Sequence, residues 1–98
     1  MHPSRVDRQR LKKLTDLPNV GPAMAKDLQL LGIREPSQLR GKDPARLYAQ
    51  LCLKTGQRQD PCVLDVLISI TRFMGGEAPK PWWAYTAQRK AMQAKRAG

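Results

Sequence analysis

The sequence predicts an all-α domain of five to six helices, and three observations carry that prediction. Apolar residues recur three and four positions apart through most of the 98 residues. Asp-Pro occurs twice ahead of an apolar stripe, at Asp43-Pro44 and Asp60-Pro61, which is the signature of an N-cap followed by an N1 proline. The alternation in twos that marks a half-buried strand is absent. A chain of this length holds one modest core and no second one.

Taken in order, Leu11, Leu14 and Leu17 recur every three residues and predict a short first helix ending at Pro18. Met24, Leu28 and Leu31, with Ala25 beside them, predict a second helix that buries one face. Gly32 ends it as a left-handed glycine, and Ile33 packs back onto the helix. "EPSQLRG" reads as a single helical turn around Leu39, started by Pro36. From Asp43 the stripe Leu47, Tyr48, Leu51 and Cys52 runs to Gly56. The helix after Asp60 is apolar on nearly every side, with Asp65, Ser69 and Arg72 as its only polar stripe. It is the expected central buried helix, closed by Gly75-Gly76.

"EAPKP" is a linker. Trp82, Trp83 and Tyr85 open a last segment whose Lys/Arg-rich end is expected to fray from Gln88 onward. The chain thus divides into a basic N-terminal arm over 1–10, a core over 11–76, and a region 77–98 holding the linker, an aromatic anchor and a basic tail.

Eighteen Lys and Arg face eight Asp and Glu, a net charge of +10, and a field of that sign attracts polyanions. The cations gather in "RVDRQRLKK" (Arg5 to Lys13) and "RKAMQAKR" (Arg89 to Arg96). Nucleic acid is the favoured partner. A solubilising surface and an anionic membrane surface are the other readings of the same charge. No apolar stretch follows Met1, so no secretory leader is expected. The longest apolar run, "VLDVLISITRFM", is interrupted and too short to span a bilayer. A cytoplasmic location is expected, with Cys52 and Cys62 reduced. With only His2 as a further soft ligand, no metal or cofactor site is predicted.

One stretch stands out. In "LTDLPNVGPAMAKDLQLLGI" two prolines flank an Asn-Val-Gly turn placed directly before the second helix. Small turn residues let backbone amides converge without side chains to block an anion, and the helix adds its own unsatisfied N–H groups and positive dipole end. Val20 is expected to face inward and plug the junction. "LRGKDPA" (Leu39 to Ala45) matches "LPNVGPA" (Leu17 to Ala23) at Leu, Pro and Ala, which hints at a degenerate second hairpin with Asp43 where Gly21 would be.

The turn resembles the helix-hairpin-helix motif, Leu-Pro-Gly-h-Gly-x-x-x-Ala-x-x-h, at Leu17, Pro18, Val20, Gly21, Ala25 and Leu28. The resemblance implies a SAM-like helical domain that binds a phosphate of the DNA backbone without reading bases. Carried over by position, the phosphate site is Asn19, Val20, Gly21, Ala23 and Met24, with Lys26 one turn into the helix. Arg10, Lys12, Lys13, Lys42 and Arg46 are candidate supporting cations. Asn19 departs from the motif's first glycine. Asn tolerates the left-handed region, but its side chain is expected to crowd the phosphate. The hairpin of this motif also serves as scaffolding in protein-interaction modules, and an adaptor is the alternative function.

Further along, "LYAQLC", "RQDPCVLDVL" and "PWW" follow in an order similar to the small bacterial helix-hairpin-helix family known as the pathogenicity locus, whose members often carry the name mitomycin resistance protein. The resemblance implies a link to DNA-damage resistance. No nucleophile and base pair, Gly-rich nucleotide loop or paired acids at metal spacing occur, so neither an enzyme nor a small-molecule substrate is expected. Cys62, at the start of the central helix, reads either as a thiolate activated by the dipole or as a small packing residue. Trp82 and Trp83 read as a base-stacking or interface surface, or as pins for the C-terminal segment.

Overall fold

The computed structural model describes residues 1–97, with side chains as far as Lys95; Arg96 of the basic tail lies outside the described side chains, and Gly98 outside the described residues. Four α-helices occur among the described residues: α1 (Pro22–Leu30), α2 (Pro44–Thr55), α3 (Pro61–Met74) and α4 (Thr86–Ala97). Five short 3₁₀ segments join and precede them, and no strand occurs among the described residues. The fold is all-α, with fewer α-helices than the five or six expected.

The difference starts at the first expected helix, which is only the 3₁₀ turn Leu14–Asp16. The Asp16 carboxylate reaches back to accept from the amides of Lys12 and Lys13 at 2.9 and 2.8 Å. Those amide bonds hold its carboxyl below the usual carboxylate range. A leucine period of three suits a 3₁₀ turn as well as an α-helix, and Pro18 stops any extension. Pro36–Leu39 is a second such turn, as the sequence implied.

Both Asp-Pro signals cap as read. Asp43 accepts from the Ala45 amide at 2.9 Å and Asp60 from the Cys62 amide at 3.0 Å, each stabilising its helix by about 1 kcal/mol. At the other end of α1, Gly32 sits at φ 80°. Its N–H donates to Gln29 and that of Ile33 to Leu28, which is a Schellman closure with the predicted Ile33 contact.

α3 is central. Leu67, Ile70, Phe73 and Met74 meet Leu14, Leu17, Val20 and Leu28 in the main core, while Leu64 and Ile68 meet Tyr85 in a smaller one. Full burial of a side chain such as Phe73 contributes roughly 2–3 kcal/mol. Two of the three residues in the polar stripe of α3 are buried: Asp65 and Ser69 are 0% and 2% exposed, while Arg72 remains exposed. α4 covers Asp65, which accepts from Arg89 Nε at 2.9 Å and from the Thr86 hydroxyl at 2.8 Å. This buried pair explains why the segment from Gln88 onward is helical instead of frayed.

The basic arm also packs. Arg8 lies 4.0 Å over the Phe73 ring and donates to the carbonyls of Phe73 and Glu77, both at 2.6 Å. A cation thereby closes the carbonyl end of α3. No helix among the described residues is long and apolar enough to cross a membrane.

The short repeat read in the sequence extends to the backbone. Leu17 and Leu39 are both 0% exposed. Asn19 at φ 65° corresponds to Gly41 at φ 72°. Gly21 and Asp43 are the N-caps, and Pro22 and Pro44 open the helices. Val20 to Leu17 and Lys42 to Leu39 are equivalent hydrogen bonds, as are Ala25 to Gly21 and Leu47 to Asp43. The two turns are one device used twice.

Candidate functional site

The first turn sits between the Leu14–Asp16 segment and α1. Val20 is 1% exposed and plugs the junction, as expected. Gly21, Pro22 and Ala23 are exposed, Met24 is half-buried, and Lys26 stands exposed one turn on. The amides of Gly21, Ala23 and Met24 have no backbone partner outside the helix ladder and no side-chain cap among the described residues. Those of Ala23 and Met24 belong to the first turn of α1, where N–H groups point outward with the positive end of the helix dipole. Gly21 has φ −99°, and a Cβ there would meet nothing within 4 Å. The residue is thus not needed for backbone conformation; its missing side chain leaves the amides open.

Asn19 is different from expectation in two ways. Its amide donates to the Met1 carbonyl at 2.8 Å, so this N–H is already used. Its side chain turns inward, where Nδ2 donates to the Ser69 hydroxyl at 3.1 Å and to the Lys80 carbonyl at 2.8 Å. It therefore does not crowd an anion at the turn. The left-handed position falls at Asn19 and not at Gly21. The Met1 amine donates to the carbonyls of Leu17 and Val20 at 2.9 and 2.7 Å, and burial lowers its pKa, against the opposing influence of Asp16.

The second turn has the same frame and the opposite state. Ala45, the counterpart of Ala23, gives its amide to the Asp43 carboxylate. An anion belonging to the chain thus occupies the position left open at Gly21. Lys42 and Arg46 are exposed beside it on a groove of about 510 Å³ shared with Leu31 and Gln50.

The remaining predicted cations are scattered. Arg10 pairs loosely with Asp7 at 3.6 Å, both exposed. Lys12 and Lys13 extend into solvent from the residues whose amides bind Asp16. Sequence reasoning missed Arg8, Ser69 and Lys80, whose roles depend on partners 50 to 69 residues away. The Asn-for-Gly departure at Asn19 was the one signal that pointed to such an inward contact.

Residues 7–91 match the family model described as "Pathogenicity locus" (Cdd1). The chain belongs to that family. The mitomycin resistance protein McrB of Streptomyces lavendulae is 43% identical over 81 residues, spanning 83% of this chain and 77% of its own. No solved structure matches. The matched region of this pathogenicity-locus protein takes in the first turn, α1 to α3, Trp82, Trp83 and Arg89.

The thiols and tryptophans resolve in part. Cys52 and Cys62 are free and half-buried. Burial, and then the neighbouring Asp60, push the Cys62 thiol up, against activation by the dipole. Cys52 Sγ accepts from the Gln59 amide at 3.4 Å. In the aromatic segment it is Tyr85, 5% exposed, that is seated in the core, while Trp82 is half-buried and Trp83 is 62% exposed.

Proposed function

We propose that this protein binds DNA without sequence specificity, using a reduced helix-hairpin-helix in a SAM-like domain, and that this binding underlies a link to mitomycin resistance. A backbone phosphate sits at the amides of Gly21, Ala23 and Met24, with Lys26 as the supporting cation. The observation that carries this reading is the contrast between the two turns. One frame holds a carboxylate of the chain at Ala45, and its copy leaves the Ala23 amide open. A net charge of +10 supplies the attraction. The name of the Streptomyces lavendulae relative supports the resistance link.

A second reading, a protein adaptor with a structural hairpin, is favoured by the internal use of the Asn19 amide and side chain and by the exposed Trp83. One comparison separates the two. Gly21→Glu and Lys95→Ala each remove one unit of charge, and Gly21 has room and an unstrained φ for a side chain. Phosphate capture predicts that Gly21→Glu loses about ten- to a hundredfold more duplex affinity than Lys95→Ala, since a charge-assisted hydrogen bond contributes about 1.5–3 kcal/mol. Equal losses in folded proteins would favour the adaptor.

A further inference from the structure

A tryptophan is highly buried on average, yet Trp83 is 62% exposed between two neighbours that pack. On one side the Trp82 ring meets it edge-on, with centroids 5.6 Å apart at 83°. On the other, Tyr85 is seated against Leu64 and Ile68. The 3₁₀ turn Trp82–Tyr85 joins these anchors, so Trp83 loses little freedom on meeting a ligand. A flat, largely apolar ring exposed to solvent fits another flat ring.

Asn19 brings the linker before Trp83 to the first turn. Because Asn19 Nδ2 donates to the Lys80 carbonyl, the linker crosses the first turn at Lys80. Trp83 is three residues further, at most about 11 Å along the chain, or about three stacked base steps of one strand. Lys80 between them is exposed and cationic. The exposed aromatic therefore borders the turn assigned to phosphate, within reach of the same strand.

We infer that Trp83 stacks on an unpaired nucleobase of the strand whose phosphate lies at the Gly21 turn, so that the preferred ligand is DNA with an interrupted duplex. This rests on the phosphate reading above. Intact duplex hides its base faces in the stack, whereas a gap or single-stranded junction exposes one. Stacking on an aromatic side chain tolerates any base, in keeping with binding that ignores sequence.

The test measures the affinity of the full chain for an intact duplex and for the same duplex with a one-nucleotide gap, by anisotropy of a labelled strand. The wild type should prefer the gapped DNA about five- to a hundredfold. Trp83→Ala should erase the preference and leave intact-duplex affinity within twofold, while Trp83→Phe keeps most of it. Gapped DNA should also quench tryptophan emission, and Trp83→Phe should lose that quenching. Equal affinities in the wild type, or a preference that survives Trp83→Ala, overturns the inference and leaves Trp83 to a protein partner. Equal losses in Gly21→Glu and Lys95→Ala overturn the phosphate reading instead, because that comparison uses intact duplex alone. A wild type that binds neither DNA overturns both.

Discussion

The side-chain amide of Asn19 donates to the hydroxyl of Ser69 at 3.1 Å across 50 residues, and the same nitrogen reaches the Lys80 carbonyl. One turn residue thus ties the first turn to the central helix and to the linker. Glycine would reach the same φ of 65° but would make neither bond. The departure from the hairpin pattern is therefore a latch, not an obstruction.

Asn19→Gly is expected to cost about 1–2 kcal/mol, the net value of two partly buried hydrogen bonds. Asn19→Ala should cost about 1 kcal/mol more, because alanine resists the left-handed region. Urea unfolding of the two variants checks the order. A Gly variant as stable as the wild type would mean that the latch contributes nothing.

Arg89→Ala should destabilise the protein by about 3 kcal/mol, since it strands the fully buried Asp65 carboxylate with only Thr86 as a side-chain donor. Replacing both members with Asp65→Leu and Arg89→Met should cost less than the single change. Thermal unfolding of single and double variants decides this, and additive losses would argue that the two residues act separately.

The Cys62 thiol should alkylate with iodoacetamide at neutral pH more slowly than a free cysteine. Its folded pKa is raised, first by burial and then by Asp60. The thiol form is the one favoured by folding. The resulting stability is complete below the ordinary thiol pKa of about 8.5 and is lost as pH rises through the higher folded value. Cys62→Ala should remove that alkaline loss in stability measured against pH. Rapid labelling of Cys62 at pH 7 would restore the activated-thiolate reading.

Much of the fold was legible because its signals are local. Asp43-Pro44, Asp60-Pro61 and Gly32-Ile33 each act within a few residues, and each makes the cap that its chemistry implies. The half-repeat at Leu39 to Ala45 was visible in three residues and extends to the left-handed residue, the N-cap position and two backbone hydrogen bonds. Burial of Asp65 and Ser69 was not legible, because a polar stripe reads as solvent-facing until its partners are known. Arg89 and Asn19 lie 24 and 50 residues away. The first expected helix is only a turn, because a leucine spacing of three does not distinguish a 3₁₀ turn from an α-helix. At the first turn, the inward Val20 and the open amides of Gly21, Ala23 and Met24 followed from the motif, whereas the Asn19 amide is taken by Met1 and the inward course of its side chain required the linker to be in place.

Gly21→Asp makes the first turn a copy of the second. An aspartate at this N-cap can accept from the Ala23 amide as Asp43 does from Ala45. Exchanging glycine for aspartate at an N-cap changes stability by only a few tenths of a kcal/mol, in the favourable direction. The chain's own carboxylate would then hold the place proposed for a phosphate, and binding to intact duplex should fall about ten- to a hundredfold. Lys95→Ala, which removes the same single unit of charge, should cost far less. Stability and affinity thus move in opposite directions, a result that misfolding does not produce. Unfolding curves and anisotropy titrations on the two variants supply the measurement. A stable Gly21→Asp protein that binds duplex like Lys95→Ala would leave the turn as helix packing and nothing more.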